Sequence, residues 1–184
     1  MGVAAVARAV FLDRDGVLNQ VVFRNGLQGS PRTLNELVIA PEARAALARL
    51  KEAGFLLICV TNQPEVPRGL LSRQALEDIN SAVRTALPLD DLLVCCHQDN
   101  DGCECRKPKP GLLFQSAREH GIDLSSSFMV GDRWRDVEAG ATAGCRTLLL
   151  ENDYDDRTPS TPPDATVQTL TAAVDWILDQ AGSA

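Results

Sequence analysis

Apolar residues come in short runs along this chain, and each run gives way to polar residues or to a segment of helical period. Residues 8–13 form the first run, ending on Asp13, and an apolar stretch this short suits a buried strand. Pro41 then opens a helical pattern, with Ala45, Leu47, Leu50 and Ala53 expected inward and Gly54 at its stop. Phe55 to Val60 reads as a second strand that runs into Thr61, Asn62 and Gln63. Ser72 caps a helix through about Ala86, with Leu76, Ile79 and Val83 on one face. Leu92 to Cys96 is a third strand. The alternation continues with a helix from Pro110 to near Gly121, a strand at Phe128 to Val130 and a helix from Arg135 to Ala143. A fifth strand follows at Arg146 to Leu150. Residues 151–165, acidic and proline-rich, are expected as a surface loop. A last helix over 166–181 should bury Leu170, Val174, Ile177 and Leu178.

Strands and helices alternating at these lengths imply an α/β fold: a mostly parallel five-stranded sheet with helices on both faces. Ligands of such sheets bind outside the carboxyl ends of the strands. The polar clusters at Asp13 to Gly16, Thr61 to Gln63, Cys95 to Lys107 and Gly131 to Asp132 all follow strand ends. Four loops should therefore meet on one edge. No repeat or linker divides the chain, so residues 1–184 read as one domain.

Composition narrows the picture. With 184 residues, 45% of them hydrophobic, the chain can bury a sizeable core. A formal charge of −7 disfavours a partner gripped through a broad basic face, whether nucleic acid or an anionic membrane. No apolar run approaches the roughly 18 residues that span a bilayer. The stretch from Met1 to Val10 is interrupted by Arg8 and lacks the apolar core of a signal peptide. The expectation is a cytoplasmic protein, monomeric by default, that handles a small molecule.

Candidate chemistry begins at Asp13 and Asp15. Side chains two apart on extended backbone point the same way, so both carboxylates can reach one site. One could attack phosphorus while the other protonates the leaving oxygen and later activates water. Alone, the run from Asp13 to Gly16 fits an ordinary acidic surface turn equally well. Thr61 adds a hydroxyl at a strand end, and Lys107 adds a fixed positive charge. Asp132 can join Asp13 in holding a hard cation, for which Mg²⁺ is the natural choice. Such an ion also eases the approach of one anion to another.

Of the six cysteines, Cys95, Cys96, Cys103 and Cys105 crowd into one loop with His97. Three thiols and an imidazole suit tetrahedral Zn²⁺ in a closed, structural site. Either Cys95 or Cys96 could supply the first thiolate. Cys59 and Cys145, in or beside strands, read as core residues.

Four segments together resemble the motifs of the haloacid dehalogenase superfamily. They are Phe-Leu-Asp-Arg-Asp-Gly-Val-Leu-Asn (11–19), Val-Thr-Asn-Gln (60–63), Cys-Arg-Lys-Pro-Lys-Pro-Gly (105–111) and Val-Gly-Asp-Arg-Trp-Arg-Asp (130–136). They stand in the family's order, over about residues 8–150. The resemblance implies a Rossmann-like three-layer sandwich and an aspartyl-phosphate intermediate on Asp13. It further implies Asp15 as general acid and base, with Thr61 and Lys107 steadying the phosphoryl group. Mg²⁺ would be held by Asp13, the Asp15 carbonyl and Asp132, supported by Asp136. The span between Asp13 and Thr61 is too short for the family's large cap domains.

The cysteine loop is similar to that of the zinc-containing branch of heptose bisphosphate and histidinol phosphate phosphatases. The spacing in that branch favours Cys95, His97, Cys103 and Cys105 as ligands. Arg68-Gly69 resembles the heptose enzymes, whereas Pro64-Glu65 departs from the Ser-Gly they often carry there. The substrate under this resemblance is a small sugar-like phosphate, with Arg24, Asn62, Gln63, Arg68, Arg106 and Arg133 as candidates to bind it. The plain alternative for the arginines is surface salt bridging. Trp134 and Trp176 read as packing residues, and His120 has no catalytic part.

Overall fold

Strand β1 (Ala9–Leu12) is buried on both faces and lies in the middle of the sheet. In the computed structural model, which describes residues 6–154 and 157–182, it pairs in parallel with β4 (Leu56–Asn62) and with β6 (Phe128–Gly131). Beyond β4 lies β5 (Asp91–Cys95), and beyond β6 lie β7 (Arg146–Leu150) and β8 (Ala165–Val167). All pairings in this six-stranded sheet are parallel, in the order β5-β4-β1-β6-β7-β8. An antiparallel hairpin, β2 (Val22–Arg24) and β3 (Leu27–Gly29), stands between β1 and the first helix. The reading of Met1 to Ala5 falls outside the described residues.

Alternation along the strands builds two cores. Val10, Leu12, Leu57, Cys59, Phe128 and Val130 face one side, under α1 (Ala43–Glu52) and α5 (Leu170–Gly182). Ala9, Phe11, Ile58, Val60 and Met129 face the other, under α3 (Gly111–His120) and α4 (Trp134–Ala143). The remaining helix, α2 (Arg73–Ala86), starts where Ser72 Oγ accepts the Ala75 N–H at 3.0 Å, and it buries Leu76, Ile79 and Val83 as expected. Cys59 and Cys145 are core residues, and Trp176 packs edge-on against Phe128.

Three details differ from the expectations. Ala45 is exposed and Ala46 takes the inward place, because α1 buries Ala43, Ala46, Leu47 and Leu50. The sheet has a sixth strand: β8 is three residues long, and its Thr166 is exposed at the edge, so its apolar signal is faint. The last helix accordingly starts later, where Thr169 Oγ1 accepts the Ala172 N–H at 3.1 Å. No helix among the described residues is long and apolar enough to cross a membrane.

Candidate active site

Four strands end on one edge, and their polar residues meet there. Asp13 directly follows β1, and its backbone N–H donates to the Val130 carbonyl at the end of β6. Lys107 arrives from the loop after β5, and its Nζ donates to Asp13 Oδ1 at 2.7 Å and to the Val60 carbonyl at 2.7 Å. The same ammonium lies 2.6 Å from Asp136 Oδ1. Asn62 fixes the backbone that delivers it, donating to the Lys107 carbonyl at 3.0 Å and accepting its N–H at 3.2 Å. Burial alone would lower the pKa of Lys107, but the charges of Asp13 and Asp136 outweigh it and raise the pKa. This ammonium stays charged.

Asp15 is held differently. Arg14, fully buried, donates to both of its oxygens, at 3.1 and 3.0 Å, and to Asn80 Oδ1 at 2.7 Å. Asn19 and Gln63 add donors at 2.9 and 2.8 Å. Burial works to raise the Asp15 pKa, yet the Arg14 charge and these hydrogen bonds win and lower it. Asp13 shows the opposite balance: burial raises its pKa to about 6 against the pull of Lys107, with repulsion from Asp136 and Asp15 adding to the rise. Two carboxylates two residues apart thus have opposite proton affinities.

Asp132 lies at the end of β6 and is buried. Its Oδ2 accepts from Tyr154 Oη at 2.6 Å, while its Oδ1 is buried without a partner. Burial first, then repulsion from Asp13 and Asp136, raises its pKa. Asp13, Asp132 and Asp136 each bring a carboxylate oxygen within 4.8 Å of the others. Counting Asp15, four carboxylates are gathered here, and Arg14 and Lys107 are the cations in salt bridges to them among the described residues. With all four ionised, two negative charges are left over, together with one orphaned oxygen, and the raised pKa values of Asp13 and Asp132 reflect burial together with that excess. That donor set fits a hard divalent cation with oxygen ligands.

A cleft of about 280 Å³ opens above Asp13, Asp15 and Lys107. Its wall includes Asn62, Arg68, Arg106 and Arg133 of the predicted substrate-side residues, and also Gln28, Ser30, Glu65 and Arg135. Asp99 Oδ1 ties two of these arginines together, accepting from Arg106 Nε at 2.9 Å and Arg135 Nη1 at 2.7 Å. Arg106 Nη1 is left buried without a partner. Arg133 is held by Gln28 of β3. Two candidates do not line the cleft. Arg24 is drawn into a salt bridge with Glu36 and a hydrogen bond to the Ser30 carbonyl. Gln63 is fully buried, its amide spent on Asp15 and on Thr61 Oγ1. Thr61 is buried beside it.

In the cysteine loop the two candidate first thiols lie in different surroundings. Cys95, His97, Cys103 and Cys105 bring ligand atoms within 4.8 Å of one another. Cys95 Sγ lies 3.1 Å from Cys105 Sγ and 3.8 Å from Cys103 Sγ, and His97 Nδ1 lies 3.2 Å from Cys105 Sγ. Ligands about 2.3 Å from a tetrahedral zinc stand nearly this far apart. Cys96 turns away and packs with the Leu71, Leu76 and Ile79 cluster. His120 pairs with Asp91 at 2.9 Å, at the start of β5 and so on the opposite edge of the sheet.

Comparison with known proteins places the chain in a family. A family profile described as HAD-hydrolase-like matches residues 104–173. The D-glycero-beta-D-manno-heptose-1,7-bisphosphate 7-phosphatase of Pseudomonas aeruginosa is 34% identical over 164 residues, covering 86% of this chain and 89% of that protein. The chain belongs to the haloacid dehalogenase-like phosphatases. The Bordetella bronchiseptica phosphatase of the same name is 36% identical over 149 residues, covering 78% of this chain and 80% of its own. A crystal structure of D,D-heptose 1,7-bisphosphate phosphatase from B. bronchiseptica, complexed with magnesium and phosphate, superposes with a TM-score of 0.81 at 31% identity. That match covers 94% of this chain and 99% of the other. Within this haloacid dehalogenase-like framework, sequence reasoning overlooked Arg14 and Asn19, which hold Asp15, Asn80, which holds Arg14, and Asn152 and Tyr154, which hold Asp132. Arg14 carried a readable signal, since it lies between the two aspartates. Tyr154 carried none, because residues 151–165 show neither period nor motif.

Proposed function

We propose that this chain removes the 7-phosphate of D-glycero-D-manno-heptose 1,7-bisphosphate, the β anomer being favoured by the names of its relatives. The reaction runs in one cytoplasmic, monomeric domain. The observation that carries the proposal is the Asp13–Lys107 contact of 2.7 Å at the floor of an arginine-walled cleft. An Asp13 oxygen bonds to phosphorus as the bond from phosphorus to the sugar oxygen breaks. The leaving alkoxide takes a proton from Asp15. Water then gives a proton back to Asp15 and attacks phosphorus, which releases phosphate and frees Asp13. The Arg14 clamp keeps Asp15 ionised in the resting site, so its proton uptake accompanies the arrival of the anionic phosphate, whose charge raises a neighbouring carboxyl pKa. Lys107 neutralises Asp13 and the incoming oxygens without moving. Asp13, Asp132 and the Asp15 carbonyl would hold Mg²⁺, with Asp136 behind them. The ion supplies charge neutralisation for the phosphoryl oxygens.

One observation favours a second reading, histidinol phosphate. Glu65 lines the cleft with its Oε2 buried and unpartnered, and a carboxylate so placed could accept a substrate ammonium. A kinetic panel of both heptose bisphosphate anomers and histidinol phosphate separates the two. Turnover of either bisphosphate with a kcat/KM at least about 100-fold above histidinol phosphate is expected, since a monophosphate leaves the arginines of the cleft wall without a second phosphate to pair. The reverse ranking would replace the first reading by the second.

Zn²⁺ is assigned to Cys95, His97, Cys103 and Cys105, where it would pin the loop that delivers Arg106 and Lys107. Elemental analysis should find about one zinc per chain, as a closed four-ligand site requires. Cys103→Ser should lose most of that zinc and several kcal/mol of stability, because binding energy at such sites is folding energy. Parent protein that melts unchanged in strong chelator, with its zinc removed, would count against a structural ion.

A further inference from the structure

The segment after β7, expected as an acidic surface loop, turns back onto the active edge. Asn152 Nδ2 donates to the Asp132 carbonyl at 2.5 Å, and Asn152 Oδ1 accepts the Tyr154 N–H at 3.0 Å. That pair of bonds aims the phenol at the Asp132 carboxylate, where Tyr154 Oη donates to Oδ2 at 2.6 Å. The ring is braced from outside by Phe23 of the hairpin, edge-on with centroids 6.0 Å apart. Room for the phenol depends on Gly16, which has φ +93°. A Cβ there would stand 2.1 Å from Asp132 Oδ2 and 2.6 Å from Tyr154 Oη.

A carboxylate offered to a cation must present one oxygen and be stopped from rotating. Asp132 is stopped at Oδ2 by Tyr154, and its Oδ1 is the buried oxygen without a partner. We infer that Tyr154, set by Asn152, is a positioning residue for divalent-cation binding: it fixes Asp132 so that Oδ1 remains for the ion. Groups that orient a metal ligand from behind typically contribute about 10–100-fold to metal affinity. The inference rests on Asp132 being a cation ligand, as set out under the proposed function.

Tyr154→Phe deletes the hydroxyl and keeps the ring. Titration calorimetry of Mg²⁺ into the full chain should show the dissociation constant raised about tenfold or more, with the melting temperature in chelator unchanged. Asn152→Ala should shift the constant in the same direction and serves if the first variant is unstable in chelator. Parent and both variants binding Mg²⁺ equally, or the variants binding more tightly, would overturn the role of Tyr154 while leaving the cation site in place. A parent that binds no Mg²⁺ would overturn the cation site and this inference together.

Discussion

Asp13→Asn is expected to lower kcat by on the order of 10⁴-fold or more, as removal of an attacking group does in other enzymes, and to leave a folded protein. Its stability should change in an instructive direction. The Asp13 carboxyl has its pKa raised by burial from 3.8 to about 6 in the folded chain. A group raised in this way lends stability below its unfolded pKa and loses it as the pH climbs through the folded value. In chelator, the parent should therefore lose stability between about pH 4 and pH 7 relative to the asparagine variant, which cannot ionise. The difference should reach on the order of 3 kcal/mol at neutral pH. Urea unfolding of both proteins across that range measures it, and a difference that does not vary with pH would contradict the burial of a charged Asp13.

Lys107→Met is expected to do the opposite to stability. The ammonium is 2% exposed and touches Asp13 and Asp136, whose side chains are 12% and 3% exposed. Removing it leaves two buried carboxylates facing each other. Loss of one partner from a buried pair typically costs about 3–5 kcal/mol. The loss should be greatest at neutral pH and should shrink in acid, where the carboxylates take up protons. Activity should fall by about 10²–10³-fold, the usual effect of deleting one preorganised stabilising group. Equilibrium unfolding and steady-state kinetics check the two parts separately. A variant as stable as the parent at pH 7 would mean that Lys107 does not balance those charges.

Much of the sheet and of its polar edge can be read from the sequence. The sheet was legible because Ala9 to Leu12, Leu56 to Val60 and Phe128 to Val130 are apolar over their whole length, as doubly covered strands must be. Polar residues at the ends of those strands can be satisfied only at the sheet edge, where Asp13 and Asp132 come together and Gln63 holds Thr61. Lys107 was legible through its motif, and Cys95 rather than Cys96 lies beside His97, Cys103 and Cys105 because a strand turns alternate side chains to opposite faces. Edge strand β8 was not legible, since three residues with an exposed Thr166 leave too little pattern.

Several active-site supports were hidden for a further reason. Gln63, expected at the substrate, is instead fully buried, and so is Arg14, because Asp15 offers both of them a charge to hold. Tyr154 lies 22 residues beyond Asp132, past α4 and β7, and reaches it from the start of a loop of no detectable period. Burial of polar groups is decided by their partners, which for Gln63 and Tyr154 are distant in the chain, and local periodicity does not report them.

Rapid mixing with substrate, a quench within one turnover and borohydride reduction would convert an acyl phosphate to an alcohol at the residue that carried it. Homoserine at position 13 and nowhere else is the expected product, found by peptide mass spectrometry. Unmodified Asp13 during demonstrated turnover, or label on another carboxylate, would show that the phosphoryl group does not pass through Asp13.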